Sequence, residues 1–317
     1  MGAGVRHPLR APHRLNREVE LSEPVTEIPA PAAPAAAPVT PAAKPATDWW
    51  AEIKSFAWLV LAVLAVWSFV AKPFYIPSES MMPTLIKGDR LVVTKYPYGW
   101  SYVSPSPFHV LPFIHGRIFG RLPARGDVVI IKPPEEDSDY IKRVIGLPGD
   151  RIAVREGVVF INGTPVKRVA STPAMIPVDA NVPCDNENEA PYRITGKDGK
   201  LYCALPRVRE TLPNGVSFDT IDLGYRLGGP DDYDEVLVPA NHVFLMGDNR
   251  DESADSRVST YQRGLGGPVP WENLGGRAEF ITFSYDGSTS YFNPLTWFTA
   301  LRGGRAGTSL HPATEPK

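Results

Sequence analysis

Apolar residues along this chain form one long run near its beginning and several short runs after it. The long run, 55–71, contains 17 residues without a charged side chain and lies between two lysines. As a helix it would be about 26 Å long, and about 34 Å with 49–54 included, while the hydrocarbon core of a bilayer is about 30 Å thick. Tryptophans fit positions near the two membrane interfaces at Trp49, Trp50 and Trp67. We therefore predict one membrane-spanning helix over 49–72.

A cleaved signal peptide and a buried helix of a soluble protein are the alternatives for this run. A polar leader of 54 residues precedes it, which a signal peptide does not normally carry. The sequence Phe69-Val70-Ala71 also lacks a small residue at the third position back from a cleavage point. Both features favour a permanent span.

The short apolar runs that follow have the length and the β-branched content of strands. They are 89–94, 127–132, 140–145, 158–161, 243–246 and 277–283. Turn residues separate them, and Asn162-Gly163 directly after one run is a strong hairpin signal, although it also begins an N-glycosylation sequon. Little between residues 72 and 284 has a helical pattern. The sequence predicts a mainly β protein, with a large antiparallel β domain and an inserted smaller β subdomain.

Changes in composition divide the chain into segments. Residues 24–47 are almost only proline, alanine, valine and threonine, with few groups able to form a core. We predict a disordered, Pro/Ala-rich tail at 1–48, the helix at 49–72, the first part of the core at 73–152, an inserted subdomain at 153–240, the second part of the core at 241–290 and a C-terminal tail at 291–317.

Charge and cysteine content narrow the function classes. The net charge is −2, and no basic stripe indicates a nucleic-acid partner. Cys184 and Cys203 stand 19 residues apart in a polar region, which fits a disulfide in an oxidising compartment. Two unrelated free thiols are the alternative. Basic residues near the span barely decide its orientation, and together with the cysteines they favour a cytoplasmic N-terminus.

Two serines shortly after the span are candidates for chemistry. Ser78 and Ser80 lie between two prolines, which limit the freedom of the backbone. Residues two apart in an extended segment point to the same side, so one hydroxyl can attack a carbonyl while the other helps to bind the oxyanion. Met81 and Met82 add adaptable apolar surface for a substrate. An ordinary turn is the alternative.

Lys142 lies in the middle of an apolar run that we predict to be a strand. Its neighbours on the same strand face are Tyr140 and Val144, and a lysine between them is poorly solvated, which lowers its pKa. Neutrality at pH 7 requires a fall of roughly 3 pKa units, at a cost of about 4 kcal/mol. A neutral lysine can serve as the base that activates a serine. A surface lysine with its amine in water is the alternative.

The polar stretch 247–257 has hydrogen-bonding groups at nearly every position and forms no core. It is either a solvated loop or a layer of hydroxyls and carboxylates that orients a base. A Ser-His-Asp triad would need a histidine, but His242 begins a predicted strand and His109 and His115 have no further ligand cluster. We expect no metal site and no phosphate-binding loop.

Several motifs follow the span in a fixed order. They are Pro-Ser-Glu-Ser-Met-Met-Pro-Thr-Leu at 77–85, Gly-Asp-Arg at 88–90, Arg-Gly-Asp-Val at 125–128, Tyr-Ile-Lys-Arg at 140–143 with Gly-Leu-Pro-Gly-Asp at 146–150, and Gly-Asp-Asn-Arg at 247–250 with its continuation to 257. Together, over about residues 74–283, they resemble bacterial type I signal peptidase (leader peptidase), a membrane serine protease with a Ser/Lys dyad. That family has a large, mostly antiparallel β fold with a catalytic core and an inserted second domain.

The resemblance implies a role for each matching residue. Ser80 would be the nucleophile and Lys142 the general base, while Ser78 and the backbone N–H of Ser80 would form the oxyanion hole. Ser253 would supply the hydroxyl that orients the lysine. Two charged pairs would brace the site, Asp255 with Arg257 and Asp248 with Arg143. Met81, Met82 and Tyr140 are our candidates for substrate contact.

The resemblance also implies the partners and the location. The substrates would be preproteins that carry a signal peptide, cut after small residues without a metal or cofactor. We expect a single-pass protein of the bacterial inner (plasma) membrane that contacts lipid. Its N-terminus would be cytoplasmic and its catalytic domain would lie on the periplasmic, extracytoplasmic face.

Some stretches have no counterpart in the family pattern, and two other functions stay open. The Gly-rich stretch 258–267 is longer than the corresponding stretch in the family. The C-terminal segment, 291–317, matches no motif of the family. The aromatic stretch 100–122 is either a membrane-touching rim or a surface loop. An anchored, non-catalytic β domain that binds exported chains or envelope partners is disfavoured by the intact Ser80, Lys142 and Ser253. A repressor-type self-cleaving protease is disfavoured by the span and by the lack of a DNA-binding segment.

Overall fold

The computed structural model describes residues 48–105, 115–133, 136, 138–290 and 292–314. The helices and the first strands are α1 (Trp49–Phe69), α2 (Thr296–Thr299), β1 (Ala71–Tyr75), β2 (Asp89–Thr94), β3 (Val128–Ile131), β4 (Tyr140–Gly146), β5 (Arg151–Arg155), β6 (Val158–Ile161), β7 (Thr164–Pro165) and β8 (Lys167–Pro177). The remaining strands are β9 (Arg193–Thr195), β10 (Leu201–Thr211), β11 (Val216–Ile221), β12 (Tyr233–Leu237), β13 (His242–Met246), β14 (Val269–Pro270), β15 (Leu274–Ser284) and β16 (Ala313–Thr314). Almost all of the predicted disordered tail lies outside the described residues, as does His109.

α1 is an apolar helix of 21 residues in which Ser68 alone is buried. By length and composition it can cross a membrane. We predicted that this helix continues to residue 72, but its last turn ends with the hydrogen bond from Val70 N to Val66 O, and β1 begins at Ala71. Pro73 accounts for the earlier end, because the residue before a proline is disfavoured in the α region.

The largest sheet has seven strands in the order β1-β2-β15-β3-β4-β13-β14, and its neighbouring strands are antiparallel. Its central strands, β3 and β4, are almost entirely buried, as their valine and isoleucine content requires. All six predicted strands are present, and those at 89–94 and 158–161 have the predicted bounds. Asn162 and Gly163 have φ values of 55° and 78° and connect β6 to β7, as the hairpin signal predicted.

Two further antiparallel sheets complete the fold. One contains β8, β9, β10, β11 and β16, and the other has the order β12-β5-β6-β7. The predicted fold class is confirmed: the described chain is mainly β, with several antiparallel sheets and one apolar helix near its N-terminus. The boundaries of the inserted subdomain stay a prediction. The long strands β8 and β10 were missed because only part of their length is buried, so their sequences carry polar residues.

Two hydrophobic clusters pack against residues 76–88, the loop that joins β1 to β2. One cluster contains Met81 together with residues of β2, β3, β4 and β15. The other contains Met82 together with residues of β8, β10 and β11. The loop is therefore held between the large sheet and the sheet of β8, β10 and β11.

Candidate active site

The loop between β1 and β2 places Ser80 at the edge of the core. Its ends are fixed by hydrogen bonds from Ile76 N to Asp89 O at 2.9 Å and from Gly88 N to Ile76 O at 3.0 Å. Inside the loop, Asn249 N donates to the carbonyl oxygen of Ser80 at 3.1 Å. Ser80 is 7% exposed, so its hydroxyl is held rather than mobile in solvent.

Strand β4 brings Lys142 to this serine. β4 lies between β3 and β13, and Lys142 is paired with Val129 of β3. The lysine is 3% exposed, and its Nζ donates to Ser80 Oγ at 2.9 Å. The same Nζ lies 5.4 Å from the ring centroid of Tyr140, the strand-face neighbour named from the sequence. The two residues of the predicted dyad are therefore in direct contact.

Burial lowers the pKa of Lys142 from 10.5 to about 8. The negative charge of Asp255 acts in the opposite direction, while Arg257 lowers the pKa further and Asp248 raises it. Loss of hydration dominates, because a charged amine is poorly stabilised in an apolar environment. With a pKa of about 8, about one-tenth of the amine is neutral at pH 7, so part of the population can accept a proton.

The hydroxyl of Ser78 lies on the same side as that of Ser80. Their Oγ atoms are 3.4 Å apart, and either atom can be the donor. Ser78 is exposed, whereas Ser80 is buried. A polar donor therefore stands next to the candidate nucleophile, and its role in an oxyanion hole stays a prediction.

The polar stretch 247–257 is not a solvated loop, because most of it is buried. Asp255 accepts from Arg257 Nε at 3.0 Å and Nη2 at 2.9 Å, and it also accepts from Gly247 N at 2.9 Å. Burial raises the pKa of Asp255, but the charge of Arg257 and its hydrogen bonds outweigh burial and hold that pKa below its ordinary value. A buried carboxylate is thus kept ionised near Lys142.

The second predicted pair is also formed. Asp248 accepts from Arg143 Nε at 2.7 Å and from Arg143 Nη2 at 2.6 Å. It also accepts from Thr84 Oγ1 at 2.5 Å. Thr84 had no assigned role in the sequence analysis, although it lies inside the motif 77–85 and could have been found there as a hydroxyl facing the pair.

Ser253 lies near the site, but its hydroxyl makes no hydrogen bond to Lys142. Its Oγ is buried and has no hydrogen-bond partner. A Cβ placed on Gly247 would lie 2.2 Å from Ser253 Oγ and 2.4 Å from Ser80 O, so both groups crowd this glycine. The role of Ser253 in orienting Lys142 stays a prediction.

Met81 and Met82 do not offer surface to a substrate, which corrects the sequence prediction. Both side chains are 0% exposed and belong to separate hydrophobic clusters. The loop turns at this point, since Met82 N donates to Glu79 O at 3.0 Å and Leu85 N to Met81 O at 2.9 Å. The turn directs both methionines into the core while Ser80 stays at its edge.

A cavity of about 410 Å³ opens beside Ser80 and Lys142. Tyr140 borders it, and its hydroxyl donates to Arg263 O at 3.0 Å, while its contact with a substrate stays a prediction. Its other lining residues, which sequence reasoning missed, include Pro77, Asp139, Ile141, Glu252, Ala254 and Arg263. Four of them lie inside the motifs and Asp139 directly precedes one, so membership of a motif is the signal that could have identified them.

The two cysteines form a disulfide bond in this structure, with their Cα atoms 5.8 Å apart. Both are fully buried in the cluster that contains Met82. Their sulfur atoms and the carboxylate of Glu189 lie within 4.8 Å of one another. Because a metal is bound by a thiolate and not by a disulfide sulfur, this group is not a metal site. The compartment inferred from the cysteines stays a prediction.

Comparison with known proteins gives concordant matches. The family model described as "Signal peptidase, peptidase S26" matches residues 49–283. A signal peptidase I of Rickettsia typhi is 34% identical over 279 residues, which are 83% of this chain and 95% of the relative. A signal peptidase I of Rickettsia akari is 36% identical over 283 residues, 84% of this chain and 94% of the relative. A crystal structure of a signal peptidase I from Enterococcus faecalis, 20% identical, covers 50% of this chain and 97% of that chain with a TM-score of 0.26, a likeness too weak to define the fold.

Proposed function

Because the chain belongs to the signal peptidase family, peptidase S26, and is thus a serine peptidase, we propose that it removes signal peptides from preproteins with Ser80 as nucleophile and Lys142 as general base. The observation that carries this proposal is the 2.9 Å contact between Lys142 Nζ and Ser80 Oγ in a buried site. A serine hydroxyl is a weak nucleophile until a neighbouring base removes its proton. Lys142 is the base within reach, and its lowered pKa makes it competent.

The first half of the reaction forms an acyl-enzyme. The neutral amine of Lys142 takes the proton of the Ser80 hydroxyl while Oγ attacks the carbonyl carbon of the peptide bond. Negative charge develops on the carbonyl oxygen, which accepts hydrogen bonds from Ser78 Oγ and from the backbone N–H of Ser80. Such donors are typically worth about 3 kcal/mol each. The protonated Lys142 then gives its proton to the leaving amine, and the C–N bond breaks.

The second half restores the enzyme. Lys142, again neutral, takes a proton from a water molecule that attacks the acyl carbon. The ester bond to Ser80 Oγ breaks, and the protonated lysine returns its proton to that oxygen. Asp255 with Arg257, and Asp248 with Arg143, hold the surrounding loop and strand in place through these steps.

The cavity beside the dyad supports the substrate class. It lies against Ser80 and Lys142 and is bordered by Tyr140, Ile141 and Ala254. We assign it to the substrate residues before the cut, and the small side chains preferred there are those that the resemblance to the family implies. The preprotein is the partner, and no nucleic acid, metal or cofactor takes part.

We assign α1 to a single membrane span that holds the enzyme beside its lipid-embedded substrates. The helix is 21 residues long, and its side chains are exposed with the exceptions of Leu64 and Ser68. We place the N-terminus in the cytoplasm and the β sheets on the periplasmic face of the inner membrane. In intact cells, protease added after the outer membrane is opened should degrade a C-terminal tag. A tag that is degraded only after the inner membrane is broken contradicts this orientation.

The proposed activity is tested with the full chain in detergent micelles and a preprotein that has alanine directly before the cut. The parent chain should release a mature protein whose new N-terminus follows that alanine. Ser80→Ala should abolish release with the fold retained, and Lys142→Met should lower it by about 100- to 10,000-fold. Lys200→Met, at an exposed lysine, is the matched control and should cleave like the parent. Near-normal cleavage by Lys142→Met would show that the lysine is not the base.

A further inference from the structure

A segment near the C-terminus packs along the large sheet and reaches the loop that carries Ser80. Residues 305–310 lie beside β15: Gly307 N donates to Ile281 O at 2.7 Å, and Leu310 N donates to Glu279 O at 2.8 Å. The segment follows the residues that match the family model. Its position is therefore fixed by backbone hydrogen bonds to a strand of the catalytic core.

Arg305 extends from this segment into the serine loop. Its Nε donates to Asp89 Oδ1 at 2.8 Å, and its Nη2 donates to the backbone oxygen of Thr84 at 3.0 Å and also to Asp89 Oδ2. Asp89 is 0% exposed and accepts from Ile86 N at 2.9 Å. A planar guanidinium can make these bonds at once because its donors have a fixed fork geometry. Arg305 thus holds both ends of the turn at 84–89.

The contact with Thr84 continues toward the dyad. Thr84 Oγ1 donates to Asp248 Oδ2 at 2.5 Å, and Asp248 accepts both hydrogen bonds from Arg143. Arg143 directly follows Lys142 on β4. One connected set of hydrogen bonds therefore runs from Arg305 through the serine loop to the strand that carries the lysine.

Apolar packing also joins the segment 305–310 to the loop that carries Ser80. Leu310 is 3% exposed and belongs to the hydrophobic cluster that contains Met81 and Leu85. Met81 directly follows Ser80. A shift of this segment would therefore be transmitted to Ser80 by packing as well as by hydrogen bonds.

We infer that Arg305 is a positioning residue for the proposed reaction, because it fixes the turn at 84–89 and through it the distance between Ser80 Oγ and Lys142 Nζ. This inference rests on the proposed peptidase function. It gives the C-terminal segment a role in the geometry of the dyad rather than in substrate contact, since Arg305 does not line the cavity beside Ser80. Loss of Arg305 should therefore change the rate of chemistry and leave substrate binding unchanged.

The test compares kcat and KM of the full chain with those of Arg305→Ala on one preprotein. Misplacement of a reacting group by about 1 Å can cost about 100-fold, so we expect kcat to fall by about 10- to 100-fold while KM stays within about twofold. Guanidinium ion, added below the concentration that unfolds the chain, should restore part of the lost kcat. Arg305→Lys should have an intermediate kcat, because an ammonium group keeps the charge but not the fork.

Arg207→Ala is the matched control. Arg207 also joins a backbone carbonyl and a carboxylate, those of Thr172 and Asp219, but it contacts no residue of the serine loop through a hydrogen bond. Its kcat should equal that of the parent even if its unfolding midpoint falls. The inference is overturned if a folded Arg305→Ala variant has the kcat of the parent. It is also overturned if kcat falls equally in Arg305→Ala and Arg207→Ala and guanidinium ion does not restore it.

Two further outcomes are decisive. If Arg305→Ala does not fold, Arg305→Lys decides, and a kcat equal to that of the parent overturns the inference. A parent chain that cleaves no preprotein contradicts the proposed function and this inference together. A cleaving parent with an equally active Arg305→Ala variant contradicts this inference alone.

Discussion

Arg143 and Asp248 are joined by two short hydrogen bonds, and their side chains are 2% and 0% exposed. Arg143 follows Lys142 on β4, while Asp248 precedes Asn249, whose amide binds the carbonyl oxygen of Ser80. The pair therefore ties the strand of the base to the loop of the nucleophile. Breaking it should affect the stability of the whole catalytic core.

The first prediction concerns this pair. In Asp248→Ala the guanidinium of Arg143 stays buried without its counter-charge, which typically costs about 3–5 kcal/mol. The free energy of unfolding, measured with urea in detergent, should fall by that amount. Glu235→Ala removes the exposed partner of Arg151, a kind of pair worth about 0–1 kcal/mol, and serves as control. Equal losses in the two variants would mean that burial does not govern the Arg143–Asp248 interaction.

The second prediction concerns the crowding around Gly247. A Cβ at this position would lie 2.4 Å from the backbone oxygen of Ser80, so Gly247→Ala must displace the serine loop or the loop after β13. We expect kcat to fall by about tenfold or more, since the Ser80–Lys142 distance changes. Gly303→Ala is the control, because a Cβ at Gly303 meets nothing within 4 Å. Parent-like cleavage by Gly247→Ala would show that the loop tolerates the shift without moving Ser80.

The third prediction separates packing from substrate contact at Met82. Because this side chain is fully buried, Met82→Ala should lower the free energy of unfolding by about 2–5 kcal/mol. Met82→Leu keeps the volume and should cost less than about 1.5 kcal/mol, with KM unchanged. Urea unfolding and steady-state cleavage measure the two effects. If Met82→Leu raises KM without lowering the free energy of unfolding, Met82 contacts the substrate and the assignment to the core is wrong.

The motifs indicated Ser80 and Lys142, whose side chains are in contact, but not the direction in which the neighbouring side chains point. A hydroxyl in a constrained loop and an amine on an apolar strand complement each other chemically, and the resemblance to type I signal peptidase singled out Ser80 and Lys142. Met81 and Met82 were assigned to substrate contact as adaptable apolar surface beside the serines, but this loop turns after Glu79 and directs both side chains into the core. Such turns depend on contacts with strands far along the chain, which local patterns do not encode.

The predicted strands are those in which apolar residues dominate, and the long strands β8 and β10 were missed because they carry polar residues. β3 and β13 were found because they are almost continuous apolar runs, and β4 because apolar residues flank its lysine and arginine. The C-terminal segment was read as a tail because Arg305 and Leu310 stand among polar and glycine residues. Their partners, Asp89 and Met81, lie more than two hundred residues earlier, and tertiary contacts alone bring them together.

The central claim is that the neutral amine of Lys142 is the base, and the pH dependence of kcat/KM tests it most directly. The active form is deprotonated and burial lowers the Lys142 pKa to about 8, so kcat/KM should rise about tenfold per pH unit below about 7 and level off above about 9. Burial also lowers the pKa of Lys95 to about 8, so Lys95→Met serves as control and should keep the same midpoint. A midpoint at the ordinary lysine value of 10.5, or one that moves in Lys95→Met, would contradict the assignment.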